Sequence, residues 1–321
     1  MLGGAILAPM SGISDVAFRR AASKFGAGLV VTEMVASHAY IAAADEARIR
    51  AEGEGISPHV VQLVGRDPRA IAEAARLAEA NGADIVDINF GCPAKKVTGG
   101  LCGSALMREP ELALAIVAAT VAAVQIPVTV KMRLGWDGAS RNAPLLAREA
   151  AALGAQAVTV HGRTRQQFYS GTADWDAIAD VVASVAVPVL ANGDVVDLAT
   201  ARACLARSGA SAVMIGRAAL GQPWLVGQVA AALSGRAWRP PSFAERAETA
   251  VEHYEAMLSL YGAEMGLRHA RKHLAAYADR AAEAGCGLKS SERRTLVTAT
   301  DPAVVLGLLN RLYDEPERLA A

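Results

Sequence analysis

Cys92 stands in the run Asp87-Ile88-Asn89-Phe90-Gly91-Cys92-Pro93-Ala94-Lys95-Lys96-Val97, on a loop shaped by glycine and proline after an apolar stretch. A thiol placed so is positioned and exposed, unlike the small core filler that most cysteines are. At an ordinary pKa of about 8.5 it is protonated near neutral pH and suits a general acid. Lys95 and Lys96 nearby would lower that value and suit a nucleophile, and the sequence alone leaves both open. Lys131 and His161 each end a β-branched run, where a cationic side chain has no packing reason to stand. A rim salt bridge and a core imidazole are the plain alternatives. As a pair at strand ends, however, they suit a flavin ring, whose reduction places negative charge on N1 and O2. Asn192-Gly193-Asp194 and Gly216-Arg217 close the last two apolar runs. They read as the two halves of a phosphate site built from backbone N–H groups.

The elements that must position these residues alternate along the chain. Short apolar runs recur at 5–8, 29–32, 60–63, 85–88, 128–131, 157–160, 187–190 and 212–215. Continuous runs of this kind suit strands covered on both faces, as in a parallel sheet. Between them, 68–81, 110–124, 142–153, 175–184 and 198–207 have helical periodicity. Asp67 before Pro68 reads as an N-cap with proline at the first helical position. Eight such units within about 216 residues predict a TIM (β/α)8 barrel. A doubly wound open sheet is the competitor, but no phosphate-binding glycine fingerprint follows the first run. Nearly every strand candidate ends in a polar or turn-forming group: Pro9-Met10, Glu33, Gln62, Asn89 with Cys92, Lys131 with Arg133, His161 with Arg163, Asn192 with Asp194, and Gly216 with Arg217. A barrel gathers such residues at its C-terminal face. An open sheet strings them along an edge. Beyond Arg239-Pro240-Pro241-Ser242 strands cease, and 243–261, 266–282 and 301–313 read as helices. The prediction is an α/β chain with a TIM-barrel domain at 1–241 and a smaller all-helical domain at 242–321.

Composition narrows the partners. Lys and Arg total 32 and so do Asp and Glu, which excludes a protein that binds nucleic acid through overall basicity and leaves only local patches. The four cysteines form no C-x-x-C pair, so neither a zinc site nor a disulfide scaffold is expected, and reduced thiols in the cytoplasm are. Met1-Leu2-Gly3-Gly4 carries no basic stretch, so no signal peptide is read. Residues 112–130 lack charge over nearly a membrane's thickness, but Pro127 divides them into a helix-like and a strand-like part, so no membrane span is expected.

The Asn89-to-Val97 run resembles the signature of tRNA-dihydrouridine synthases. So do Ala8-Pro9-Met10-Ser11-Gly12-Ile13-Ser14-Asp15 with Phe18-Arg19, Val130-Lys131-Met132-Arg133-Leu134-Gly135-Trp136 and His161-Gly162-Arg163-Thr164-Arg165. Asn192-Gly193-Asp194 and Met214-Ile215-Gly216-Arg217-Ala218 complete the set. These motifs in order are specific where each alone is weak, and the likeness is greatest to the bacterial B-type branch. The resemblance implies an FMN-bound TIM barrel with a helical RNA-binding domain, reducing a uridine of tRNA to 5,6-dihydrouridine at the expense of NADPH. By position, FMN would contact Ala8, Pro9, Met10, Gln62, Lys131, His161, Asn192, Gly193, Asp194, Gly216 and Arg217. Hydride would pass from reduced FMN to C6, and Cys92 would give the proton to C5. Asn89 would hold the uracil, with Lys95, Arg133, Arg163, Arg271 and Lys272 near the substrate. No metal and no obligate protein partner are implied, and a monomer is the default. One departure is Cys102, a second cysteine in the catalytic loop where many relatives carry none.

Three other readings compete. An FMN barrel acting on a free pyrimidine, like a dihydroorotate or dihydropyrimidine dehydrogenase, would share the flavin residues but need no helical tail. A phosphate-binding lyase or isomerase would be colourless. A non-catalytic RNA binder would have no use for Cys92, Lys131 and His161. From 242 onward acids slightly outnumber bases, so RNA contact is expected from a local strip, with Arg268, Arg271, Lys272 and His273 facing the same way as Lys95, Lys96 and Arg133.

Overall fold

The computed structural model describes residues 4–314; Met1 to Gly3, on which the signal-peptide reading falls, and residues 315–321 lie outside the described part. Nine strands form one all-parallel sheet: β1 (Ala5–Leu7), β2 (Leu29–Val30), β3 (Val35–Ala36), β4 (Val60–Val64), β5 (Ile85–Phe90), β6 (Val128–Arg133), β7 (Ala157–His161), β8 (Val189–Asn192) and β9 (Ala212–Ile215). Their order is β2-β1-β9-β8-β7-β6-β5-β4-β3. β2 pairs with β1, β3 pairs with β4, and Val31 bridges to Val60. Thus β2 and β3 are two halves of one stave that closes the ring, and the architecture is the (β/α)8 barrel expected from the eight apolar runs.

The break in that stave has a local cause. The Thr32 N–H still donates to the Val60 carbonyl at 3.1 Å, but its hydroxyl accepts from the Gln62 N–H at 2.9 Å and donates to the Glu33 carbonyl. A side-chain oxygen thus replaces a backbone acceptor, and the ladder is interrupted without leaving the Gln62 N–H unpaired.

Period-two alternation sorts the strands. Val61, Leu63, Val86, Ile88, Phe90, Val130, Met132, Val158 and Val160 belong to the large apolar cluster shared with the surrounding helices. A separate inner cluster holds Ile6, Ala8, Val31, Val60, Ala157, Leu190, Ala212 and Met214. On the inward set of β4 to β8, the upper positions are polar: Gln62, Asp87, Asn89, Thr129, Lys131, Arg133, Thr159, His161 and Asn192. Barrel helices match the expected segments within a few residues, as at Pro68–Ala80, where the Asp67 carboxylate accepts from the Arg69 N–H at 2.9 Å. The uncharged 112–130 stretch is helix Pro110–Val121 followed by β6, and among the described residues no helix is long and apolar enough to cross a membrane.

Four helices follow: Phe243–Tyr261, Ala263–Glu283, Ser290–Thr298 and Pro302–Asn310. The third was not foreseen, because its nine polar-rich residues bury only Leu296 and carry no apolar stripe. Their core includes Tyr254, Leu274, Tyr277 and Leu309 and takes in Ala17 and Trp224 from the barrel side. At this seam Phe18 lies 5.5 Å from the His253 ring and 5.3 Å from that of His273. The expected cationic row is corrected here: His273 faces inward, 1% exposed, and burial holds its proton affinity well below the ordinary value, so it is neutral. Helical spacing explains this, since His273 shares a face with Ala270, Leu274 and Tyr277, while Arg268 pairs with Glu264.

Gly221 sets how closely the two layers meet. Its φ is +70°, and a Cβ there would lie 2.3 Å from the Ala276 carbonyl oxygen. Gly221→Ala is therefore expected to cost about 2 kcal/mol through overpacking and left-handed strain. Calorimetry should show a thermal midpoint several degrees lower, and an unchanged midpoint would contradict this packing.

Candidate active site

The C-terminal ends of the strands surround a cavity of about 510 Å³, within the range of small-ligand sites. Ala8, Pro9, Met10, Gln62, Asn89, Cys92, Lys131, Arg133, His161, Arg163, Asn192, Gly193, Asp194, Gly216 and Arg217 all line it. Lys95, Arg271 and Lys272 do not. Lys95 is exposed at the start of the short helix Lys95–Thr98, and Arg271 is exposed on helix Ala263–Glu283. Lys272 reaches the rim: a Cβ on Gly12 would meet its Nζ at 2.8 Å, beside the lining residues Ser11 and Ile13.

Four basic side chains are withdrawn from water here: Lys131, Arg133, His161 and Arg163, each no more than 9% exposed. Arg133 donates from Nε to the Gly91 carbonyl at 2.8 Å, and from Nη1 to those of Thr164 and Phe168 at 3.0 and 2.9 Å. Its Nη2 has no partner among the described residues. Arg163 pairs with Asp194 at 2.7 Å and donates to the Ser170 and Gly171 carbonyls. Burial opposes ionisation of Asp194, but hydrogen bonds from Arg163 and the Ala173 N–H hold it below the usual carboxylate range. Lys131 Nζ donates to Asn192 Oδ1 at 3.1 Å. Burial and Arg133 push the Lys131 ammonium down to about 8, while Asp87 holds it up. His161 is driven well below its ordinary value by burial and then by Arg133, Lys131, Arg163 and Arg217. It is a neutral imidazole whose Nε2 lies 3.4 Å from Arg163 Nη1, which leaves the proton on Nδ1.

The Cys92 loop is clamped on both sides. Asn89 Oδ1 accepts from the Gly91 and Cys92 N–H groups at 3.0 and 2.9 Å. The Cys92 carbonyl accepts from the Ser104 N–H at 3.1 Å and its hydroxyl at 2.9 Å. Gly103 permits this approach, since a Cβ there would lie 2.9 Å from the same carbonyl, at φ +59°. Burial pushes the thiol up, outweighing the Ala94 N–H, Arg133 and Lys131. Lys95 and Lys96 are exposed and do not act on it. Burial therefore works against the thiolate that a nucleophile would need. Cys102, also raised by burial, points its Sγ at the Gly100 carbonyl and does not line the cavity.

At the opposite wall the N–H groups of Gly193, Asp194, Gly216 and Arg217 donate to no acceptor among the described residues. A Cβ on Gly216 would meet only Met10 Sδ and Ala8 Cβ, at 3.7 and 3.8 Å, so this wall is open to an anion. A Cβ on Gly193 would crowd the His161 ring at 2.9 Å. Two features of the site carry little signal in the sequence. Tyr169 lies with Arg217 4.6 Å over its ring, on a loop whose only signal was aromatic content. Asp87, just below the cavity, passed for an ordinary member of a strand run.

The family model described as Dihydrouridine synthase (Dus) matches residues 6–306. The chain belongs to the dihydrouridine synthase family. A probable tRNA-dihydrouridine synthase of Rhodobacter capsulatus is 52% identical over 315 residues, covering 97% of this chain and 95% of its own. The tRNA-dihydrouridine synthase B of Xanthomonas axonopodis pv. citri is 46% identical over 275 residues, covering 85% and 83%. Among solved structures, a 2-naphthoyl-CoA reductase in complex with 2-naphthoyl-CoA superposes with a TM-score of 0.54 at 12% identity, over 72% of this chain and 50% of that one. At that identity the likeness shows the fold alone.

A thiol raised by burial should react slowly with iodoacetamide at pH 7 and accelerate through and beyond pH 9. Mass spectrometry of the Cys92 peptide across a pH series measures this. A rate already at its plateau by pH 7 would show a thiolate and contradict the effect of burial on this thiol.

Proposed function

We propose that this family member reduces a uridine of tRNA to 5,6-dihydrouridine, with FMN seated in the cavity and NADPH as electron donor. The observation that carries the reading is Cys92, its thiol pushed up by burial, clamped beside buried Lys131 and Arg133 in one cavity, in a chain whose relatives bear the name tRNA-dihydrouridine synthase. The chemistry of the lining fits FMN. Unused N–H groups at Gly193, Asp194, Gly216 and Arg217 suit its phosphate, aided by Arg217. Lys131 suits the ring edge that becomes negative on reduction, while Ala8, Pro9, Met10, Gln62, His161 and Asn192 supply the remaining wall. FMN, when bound and reduced, supplies the hydride that adds at uracil C6.

This chain's residues do the rest. Negative charge then develops towards C5 and O4 of the uracil, and the Cys92 thiol gives its proton to C5. Asn89 offers an N–H to a uracil carbonyl, and Arg133, which lines the same cavity, has Nη2 left to donate. Arg163 acts through its hold on His161 and Asp194. The target ring must leave the RNA stack, at a cost of a few kcal/mol. Residues 242–321 act as the RNA-binding domain beside the 1–241 barrel domain, with Lys95, Arg271 and Lys272 meeting phosphates and offsetting that cost. The protein works in the cytoplasm as a monomer.

Cys92→Ala is expected to leave flavin reduction by NADPH intact and to slow flavin reoxidation by unmodified tRNA about 10²- to 10⁴-fold, the usual worth of a general acid. Stopped-flow absorbance separates the two halves. Normal turnover by Cys92→Ala, or faster reoxidation by a free pyrimidine than by tRNA, would contradict the proposal.

A further inference from the structure

Asp87 lies directly opposite both Gln62 on β4 and Thr129 on β6 in the parallel register. It is 5% exposed and does not line the cavity. Its Oδ2 accepts from Gln62 Nε2 at 2.7 Å and its Oδ1 from the Thr129 hydroxyl at 2.6 Å. Gln62 Oε1 accepts from Asn89 Nδ2 at 2.7 Å. Asn89 Oδ1 accepts from the Gly91 and Cys92 N–H groups.

Both oxygens of Asp87 accept, one from Gln62 Nε2 and one from the Thr129 hydroxyl, so Gln62 turns its NH2 to Asp87 and its oxygen to Asn89. Two backbone N–H groups only donate, so Asn89 must turn its oxygen to them and its NH2 to Gln62. The acceptor capacity of Asn89 is thereby used up, and one Nδ2 hydrogen remains. The group that a ring turns to Asn89 must be an acceptor, as a uracil carbonyl is, and not a donor such as an exocyclic amine.

We infer that Asp87 is a positioning residue: by fixing the direction of the Gln62–Asn89 relay it holds the Cys92 loop in place and makes Asn89 a donor towards the substrate. The catalytic consequence rests on the proposed reaction; the relay does not.

The test is made on the flavin-loaded full chain. Asp87→Leu removes the terminal acceptor at similar volume, whereas Asp87→Asn keeps an oxygen for Gln62 and a donor for Thr129. Amide hydrogen exchange at Gly91 and Cys92, read by NMR, is expected to speed at least tenfold in Asp87→Leu, with Ile88 and Phe90 unchanged, and Asp87→Asn is expected to restore most of the protection. Should Asp87→Leu not fold, Gln62→Met cuts the relay one link further along and must give the same local loss. Unchanged exchange at Gly91 and Cys92, or loss spread equally over β5, overturns the inference. With unmodified tRNA as oxidant and flavin at saturation, Asp87→Leu should lower kcat about tenfold with KM for tRNA within twofold. Added to Asn89→Ala, it should cost less than a further twofold, because both changes break one relay. Full additivity overturns the inference. Wild-type protein that tRNA fails to reoxidise refutes the reaction instead, and the exchange result then decides the relay on its own.

Discussion

Positive charge buried at the mouth of the barrel governs the rest of this structure. Taking an ion out of water costs several kcal/mol even after relaxation, so each cation must find acceptors. Arg133 and Arg163 find them in loop carbonyls: Gly91 before Cys92, and Thr164, Phe168, Ser170 and Gly171 in the loop after β7. The same bonds that keep the guanidinium groups buried therefore hold two loops around the cavity. His161 answers the constraint by staying neutral. Lys131 stays cationic near neutral pH with Asn192 as its hydrogen-bond partner and Asp87 as nearby countercharge. The charge left over faces the cavity, where an anionic ring edge and a phosphate would complete it.

Parallel register turns this local chemistry into a layered one. Gln62, Asp87 and Thr129 stand side by side at one level, and Asn89 and Lys131 are paired one step higher. Period-two alternation puts all of them inward while Val86, Ile88, Val130 and Met132 face the helices. A one-residue slip in β5 would exchange Asp87 and Asn89 for Val86 and Ile88 and abolish the site, so packing of the outer layer specifies the chemistry of the inner one.

Much of this was legible in the sequence because strands covered on both faces read as unbroken apolar runs, and their polar ends stand out against them. Cys92, Lys131, His161 and Gly216 were found that way. What stayed hidden depends on partners distant in the chain. Asp87 inside Ile85-Val86-Asp87-Ile88 gives no sign that Gln62 and Thr129 flank it. Arg133 reads as a free cation, yet three of its bonds go to carbonyls in two loops. His273 follows two exposed basic residues and was grouped with them, although one more step around the helix carries it to the Phe18 seam. The stave broken after Val31 looked like a continuous strand, because the hydroxyl that interrupts it belongs to a residue common in strands. Even charge neutrality, which first spoke against RNA, narrows to a statement about place: RNA contact would have to come from local bases, and Lys95, Lys96, Arg271 and Lys272 are exposed.

The central claim is that this cavity reduces uridine in tRNA. It is tested most directly by mass-spectrometric mapping of dihydrouridine in tRNA from a strain lacking the protein, with and without the wild-type chain restored. At least one position is expected to read as uridine in the deletion strain, to return to dihydrouridine with the wild-type chain, and to stay uridine with Cys92→Ala. An identical dihydrouridine map in the deletion and restored strains would contradict it.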